Sequence, residues 1–397
     1  MQLQEESAAP AGAALLEFGM SPRQFRARHF EQQPFVRKAA MLARPFKWTD
    51  VDVLLQQVEP VHPFIKLFNN GELPEETYAQ DTLEFGLQRR RLNKAAFYRQ
   101  MKAGATLVFN RLENFSVATQ RLCREVGRFA GHQTNSNAYL TFGGNGTFGR
   151  HWDVHDVFAV QLIGRKRWRV FTPTLPLPLS HQTSDLQRGE CPPNPVMEVT
   201  LEAGDLLYLP RGWWHQVIPF EEGSFHISVG AYAPTVADYI AWACNVFLPA
   251  SLAARAALTT DVNGLDHVAA ALKYLSGAIA ASAPIAEFAA DVAGRERLNS
   301  QFNVEQFLQP ASRMLASNAI LSLNGASTPR NGAAQITVNA ITLQLDPMGR
   351  AIVELLATHP ALRFGELCGK LPHARPDAVH ATVLELAQHD VLNVHVE

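Results

Sequence analysis

His151-Trp152-Asp153, followed later by Leu206-Leu207-Tyr208-Leu209-Pro210-Arg211-Gly212-Trp213-Trp214-His215, decides how this chain is read. The two stretches supply two imidazoles and one carboxylate. Those are the protein ligands of a 2-His-1-carboxylate facial triad, which holds one face of an octahedral Fe(II) and leaves the other open. Residues i and i+2 of a strand point to the same side, so the spacing predicts that His151 and Asp153 chelate one ion from one strand. His215 is expected from a second strand across a barrel. A lone His-x-Asp is common as a surface histidine beside a solvated acid. Here it opens a β run, the third histidine follows an apolar strand and turn, and the set lacks cysteine, which suits Fe(II) better than structural zinc. His155 and Asp156 are the nearest alternatives, although His155 lies roughly 7 Å further along a strand. His226 is either another candidate ligand or a core or pocket histidine.

Working outward, the run around the motif is β. Strands are expected over residues 136–142 (SNAYLTF), 151–163 and 166–171, the last two joined by a tight turn at Gly164-Arg165. Residues 173–196 carry six prolines and predict an irregular excursion. Further strands are expected over 198–201, 205–209, 214–218 and 224–231. Many short strands separated by Gly and Pro turns predict a sandwich or barrel. Upstream, residues 1–60 form a lead-in with short helices, and Ser21-Pro22 reads as an N-cap with proline at the first helical position. Residues 61–110 mix loops and short elements. They hold an acidic stretch (Glu72, Glu75, Glu76, Asp81, Glu84), then Arg89-Arg90-Arg91, and an apolar strand over 103–110. Residues 112–129 have helical spacing. Downstream, the alanine-rich residues 236–297 predict a helical bundle. Residues 310–345 are a boundary with turns at Asn324-Gly325 and Pro329-Arg330-Asn331-Gly332. Residues 347–397 read helix, helix, helix, strand, which resembles a winged helix.

The composition excludes several classes. The 397 residues exceed what one core serves, so two or three domains are expected. Hydrophobic content of 47% with 18% charged residues is that of a soluble globular chain. A net charge of −2 gives no field for nucleic acid or an anionic membrane. The acidic N-terminus does not read as a signal peptide, and no apolar stretch approaches the roughly 20 residues that span a bilayer. Four scattered cysteines without a C-x-x-C pair argue against disulfides and thiolate zinc, and for a cytoplasmic location.

Several residues have two readings. Lys166, in Gly164-Arg165-Lys166-Arg167-Trp168, is either part of a solvated basic turn or the cation that pairs with the far carboxylate of a 2-oxo acid. Asn137 and Tyr139 share parity on their strand and either face a pocket or form plain wall. Ser228 shares parity with His226 and is either a donor to the cosubstrate or an ordinary strand residue. Phe158, Val160, Leu162, Trp168 and Trp214 are either an apolar shell around the metal or plain core.

Together the run NAYLTF…GRHWDVHDVFAVQLIGRKRWRVF…LEAGDLLYLPRGWWHQV…FHISVGAY resembles the JmjC-type 2-oxoglutarate/Fe(II) oxygenases, in their bacterial ribosomal-oxygenase, cupin-like branch. HFEQQPFVRKA and AGATLVFNRLENF match its N-terminal pattern, so the resemblance covers roughly residues 20–235. It implies an α+β fold: a double-stranded β-helix (jelly-roll, cupin) barrel, then a helical bundle and a C-terminal winged-helix domain. The corresponding divisions are 1–235, 236–309 and 310–397. It implies His151, Asp153 and His215 as Fe(II) ligands, Lys166 as the partner of the distal 2-oxoglutarate carboxylate, and Asn137, Tyr139 and Ser228 as cosubstrate-pocket residues. The implied activity is hydroxylation of an unactivated C–H with dioxygen. Its implied substrate is a protein or peptide, with a ribosomal protein Arg or His side chain first, and its implied assembly a homodimer. The loop 143–150 and the excursion 173–196 are where substrate selection is expected.

From Asp346 onward four Lys and Arg face seven Asp and Glu, so direct nucleic-acid binding by the C-terminal region is not expected. Three other readings remain open at this stage. One is a hydroxylase of a biosynthetic peptide or small molecule, and demethylation of N-methyl groups is a chemical variant of it. The others are a DNA-binding regulator and a non-catalytic, metal-binding cupin-like sensor.

Overall fold

Residues 157–163 carry apolar side chains on both faces of the strand, and this buries them between two cores of the first unit. The structure is a computed structural model of the chain. It describes residues 14–43, 46–60, 63–144, 146, 148–281, 284–296, 300, 302–308, 314–325, 334–359 and 361–395. Its residues form two compact units, one running to Tyr232 and one covering Ala233–Val394.

In the first unit the elements are α1 (Pro22–Arg28), β1 (Phe35–Arg37), α2 (Trp48–Gln57), β2 (Ile65–Phe68), β3 (Ala79–Glu84), β4 (Leu87–Leu92), α3 (Lys94–Lys102), β5 (Thr106–Asn110) and α4 (Val117–Ala130). Then come β6 (Gln133–Phe142), β7 (Asp156–Ile163), β8 (Arg165–Phe171), β9 (Met197–Glu202), β10 (Leu206–Leu209), β11 (Trp214–Pro219) and β12 (Gly223–Tyr232). Seven strands make a large sheet in the order β1-β10-β7-β12-β6-β5-β2, and three make a small one in the order β11-β8-β9. Val157 and Ala159 of β7 and Leu207 and Leu209 of β10 pack against Trp168 and Val170 of β8 and Leu201 of β9. That cluster joins the two sheets into a sandwich, as the strand pattern predicts.

The other face of the large sheet carries the main core. Phe158, Val160 and Leu162 point there, with Tyr208, to meet Phe25 of α1 and Leu122, Val126 and Phe129 of α4. These three residues of β7 are therefore core and not an apolar shell around the metal. The strand is buried on both faces, so its sequence has no polar alternation to say which face is which. Trp214 is likewise buried elsewhere, with Trp152 and Phe171. The helix starts follow local chemistry. Ser21 and Gln24 form a reciprocal capping box at α1 with Pro22 in the first turn. Ser116 caps α4, and Gly131 ends it in the left-handed conformation.

Two expectations change at this level. The strand expected over residues 151–163 begins only at Asp156, and His151 makes an isolated bridge. Asp81 and Glu84 of the acidic stretch and Arg89-Arg90-Arg91 lie on the two arms of one hairpin, β3–β4, with Asp81 opposite Arg90. Glu75 and Asp81 pair with Arg90, Glu84 with Arg91, Glu59 with Arg89 and Glu72 with Lys66. Glu72, Glu75, Asp81 and Glu84 are thus paired within the chain, which weakens the field they offer to a basic segment.

The second unit contains α5 (Val236–Phe247), α6 (Leu252–Arg255), α7 (Val262–Ala281), α8 (Pro284–Arg295) and α9 (Val304–Leu308), where helices are expected. It continues with β13 (Ile320–Leu323), β14 (Gln335–Val338), β15 (Ile341–Gln344), α10 (Pro347–Thr358), β16 (Leu362–Arg363), α11 (Phe364–Lys370), α12 (Pro376–Gln388) and β17 (Leu392–His395). A sheet ordered β16-β13-β17 and the helices α10, α11 and α12 share one apolar core around Ile352, Leu367, Val379 and Leu392. The turn expected over residues 329–332 lies outside the described residues. Among the described residues no single helix is long and apolar enough to cross a membrane.

The expected turn at Gly164 does more than reverse the chain. β7 belongs to the large sheet and β8 to the small one, so the chain changes sheets at this residue. Gly164 has φ +65°, and a Cβ there would stand 2.3 Å from the Gly223 carbonyl oxygen. Gly164→Ala is expected to cost about 2 kcal/mol or more, from left-handed strain plus displacement of that backbone. The check is the urea midpoint at unchanged slope. A midpoint equal to that of the wild type would refute the role given to Gly164.

Candidate metal centre

The triad is built by the backbone before its side chains are considered. His151 donates its N–H to the His215 carbonyl at 3.1 Å, and His215 returns the bond to the His151 carbonyl at 2.8 Å. The two residues are thus direct antiparallel neighbours, and their ring centroids lie 4.2 Å apart. His215 does not reach across a barrel, as the spacing suggests; it sits beside His151. Asp153 follows in non-strand conformation, and its carbonyl accepts from the N–H of Gly212 at 2.9 Å. This second tie between the same two segments brings the Asp153 carboxylate to 3.6 Å from His215 Nε2. One atom from each of His151, Asp153 and His215 lies within 4.8 Å of the others.

The donor set fits a metal ion. His151 Nδ1 faces the Gly149 carbonyl at 3.3 Å, and His215 Nδ1 faces the Trp213 carbonyl at 3.2 Å. A carbonyl only accepts, so each Nδ1 is the donor to it and each Nε2 is the ring nitrogen turned toward the cluster. That is how ligating histidines are normally aimed. Burial, and then His151, push His215 down to about 4, so it is neutral and ready to ligate. Burial raises the Asp153 carboxyl, but His155, His151 and His215 outweigh it and hold the group below the usual carboxylate range. Two imidazoles and one carboxylate are the donor set that Fe(II) takes in a facial triad.

Lys166 belongs to the same cavity, and its solvated-turn reading is overturned. Along β8, Lys166, Trp168 and Val170 point inward, whereas Arg165 and Arg169 point outward to Glu222 and Glu198. Lys166 is 1% exposed. Its Nζ donates to the Tyr139 carbonyl at 3.1 Å and to His226 Nδ1 at 2.9 Å. Burial lowers the amine to about 7. His226, which was an alternative ligand, instead partners Lys166. Burial, then Lys166 and His215, hold it well below the imidazole range, so it stays neutral and accepts.

The register of β6 and β12 explains the rest of the lining. Tyr139 is opposite His226, and Asn137 is opposite Ser228. The two rungs are two residues apart, about 6.6 Å along the strands. The Tyr139 and His226 rings stack at 4.8 Å. Burial and the Asp153 charge raise the Tyr139 phenol, so it stays protonated. Asn137, Tyr139, Lys166, His226 and Ser228 all line the cavity that holds the triad. His155 lines it too, but it is not in the metal-capable cluster, and its ring stacks on Tyr232 at 4.6 Å over Gly230. Sequence reasoning did not find the Gly149 and Trp213 carbonyls, which act through the backbone and leave no residue signature. Nor did it find Phe148, whose ring lies 5.6 Å from His151 and 6.2 Å from Tyr139. The only sign of Phe148 was its place in the loop 143–150.

Comparison with known proteins agrees with this geometry. A family model described as a JmjC domain matches residues 110–239. The bifunctional lysine-specific demethylase and histidyl-hydroxylase NO66 of Drosophila persimilis is 37% identical over 122 residues, which are 30% of this chain and 17% of that protein. Ribosomal oxygenase 1 of Gallus gallus is 30% identical over 221 residues, 53% of this chain and 35% of its own length. The chain thus spans about a third or less of these curated relatives. Among solved structures, the Escherichia coli ribosomal oxygenase YcfD superposes with a TM-score of 0.60 at 18% identity, covering 96% of this chain and all of that one. The fold is therefore that of YcfD, a JmjC, cupin-type fold with mixed α and β content, and the triad lies within residues 110–239, which the JmjC domain model matches.

Proposed function

We propose that the chain is a 2-oxoglutarate- and Fe(II)-dependent oxygenase that hydroxylates an unactivated C–H on a protein side chain. The observation that carries this reading is the pairing of the His151–Asp153–His215 triad with a buried lysine in one cavity. A solved complex of YcfD with cobalt and 2-oxoglutarate has the same fold and supports it. With dioxygen, the bound iron and 2-oxoglutarate would supply the oxidative decarboxylation to succinate and the transfer of one oxygen atom. The residues of this chain do the rest. His151, Asp153 and His215 hold one face of the metal. Lys166 binds the distal carboxylate, and His226 and the Tyr139 carbonyl fix its direction. Asn137, Tyr139 and Ser228 bind and orient cosubstrate along the β6–β12 ladder. Trp168, 1% exposed, walls the cavity beside His215 and His226 and keeps water out.

The substrate we favour is an Arg or His side chain of a ribosomal protein, because the related chains are named ribosomal oxygenases and histidyl-hydroxylases. We assign the domains as 1–235 catalytic, 236–309 helical and 310–397 winged-helix-like. The helix, strand, helix, helix, strand order of α10, β16, α11, α12 and β17 supports the last. Exposed Val236, Ile240, Val262, Leu265 and Leu272 on the helices support a homodimer there. The cytoplasm suits the four free cysteines.

Three outcomes test this reading. His151→Ala and His215→Ala are expected to lower succinate formation on the order of 100-fold or more and to weaken Fe(II) binding with it. Lys166→Ala should keep metal binding and lose 2-oxoglutarate binding. A ribosomal protein fraction should raise turnover and gain one oxygen in mass. Metal bound without any succinate formed would favour a non-catalytic sensor. Turnover without a ribosomal response would point to another peptide or a small molecule.

A pH signature follows from Lys166. Its free pKa of about 7 is depressed, so the empty cavity holds a neutral amine above that pH. Binding an anion restores the ammonium. Binding well above pH 7 should therefore take up about one proton, and affinity should fall as pH rises. Calorimetry in two buffers of different ionisation enthalpy reads the proton directly. Equal heats in both buffers would show that Lys166 is charged before the ligand arrives.

A further inference from the structure

Asp156 is a buried carboxylate outside the triad, 4% exposed, at the point where the ligand-bearing loop enters β7. Burial raises it to about 6, so at neutral pH it is an anion that accepts hydrogen bonds. One oxygen accepts from the backbone N–H of Arg211 at 2.9 Å, and the other accepts from the Tyr208 hydroxyl at 2.9 Å. Arg211 is fixed as well. Its Nε and Nη2 reach Glu31 at 3.1 and 2.6 Å, and its Nη1 reaches the Pro178 carbonyl at 3.0 Å. The next residue, Gly212, donates to the Asp153 carbonyl, and the one after it, Trp213, supplies the carbonyl that aims His215.

These bonds form one continuous path. It runs from Asp156 to the Arg211 amide, through the turn 210–213, and out to His215 Nδ1 on one side and Asp153 on the other. We propose that Asp156 is a positioning residue for the metal centre: its carboxylate fixes the turn 210–213 against the loop bearing Asp153, and so sets His215 relative to Asp153. The proposal rests on reading the triad as a metal site. It assigns Asp156 no contact with metal or substrate.

Cobalt(II) titration of the purified full chain tests it, read by affinity and by the ligand-field spectrum. Wild type is expected to bind one ion; failure to bind would sink the metal reading itself, and this proposal with it. Asp156→Ala is expected to weaken binding by about 10- to 100-fold and to alter the spectrum, the size typical of groups that orient ligands. Asp156→Asn keeps an oxygen for the Arg211 amide and should restore both. Tyr208→Phe removes the other bond to Asp156, together with the 3.3 Å bond that the Glu31 N–H donates to the same hydroxyl, but keeps the Arg211 amide bond, and should leave affinity within about twofold while lowering the urea midpoint. Should Asp156→Ala not fold, Asp156→Ser, too short to meet both donors, takes its place with the same expectation. A core variant of matched stability loss, Phe129→Leu, controls for a general softening. If it weakens cobalt binding as much as Asp156→Ala, or if Asp156→Ala binds cobalt with the wild-type affinity and spectrum, Asp156 is merely structural and the proposal is overturned.

Discussion

The site depends on a pair of backbone hydrogen bonds between His151 and His215. Two residues far apart in the chain become immediate neighbours through main-chain atoms alone, which no side-chain substitution nearby can replace. Everything else in the site is referenced to that bridge. The Gly212–Asp153 bond adds the carboxylate, the Gly149 and Trp213 carbonyls turn the two rings, and the small sheet carries Lys166 in from the other side. A backbone frame is stiffer than a set of rotamers, and catalytic groups need tolerances of about 0.5 Å.

The triad, the strand-rich centre and the capped helix α1 are legible in the sequence because each has a local signature: a ligand set, short strands between turns, and a serine three residues before a glutamine. Lys166 had a legible signal that the run of basic residues hides. It shares parity with Trp168 and Val170, both buried, whereas Arg165, Arg167 and Arg169 share the other. An apolar partner two residues on is the better guide than a charged neighbour one residue away. β7 shows the opposite case. Its two faces are equally apolar, so Phe158, Val160 and Leu162 carry no mark that separates a cavity wall from the core beneath it.

What the sequence could not show is mostly pairing between distant segments. Asp81 and Arg90 read as separate charge runs until the hairpin places them opposite each other. The Tyr139–His226 and Asn137–Ser228 rungs need the register of β6 against β12, and register is set by turns and core packing over the whole sheet. The strand geometry assumed for His151 and Asp153 is not the one observed, since a bridge followed by a loop also brings the two side chains together with His215.

The excursion between β8 and β9 is tied down at a few points: Thr174 to the Trp214 indole, the Pro178 carbonyl to Arg211, Arg188 to the Phe148 carbonyl, and the Pro192 carbonyl to Arg150. It lies wholly inside the loop that the His151–His215 bridge closes. Closing a flexible loop twice as long costs only about 0.6 kcal/mol more. The chain between those anchors is therefore interchangeable material. Insertions and exchanges there can change what surrounds the cavity-lining Phe148 while His151, Asp153 and His215 stay where they are, so the neighbourhood of the cluster can diverge without rebuilding the cluster itself.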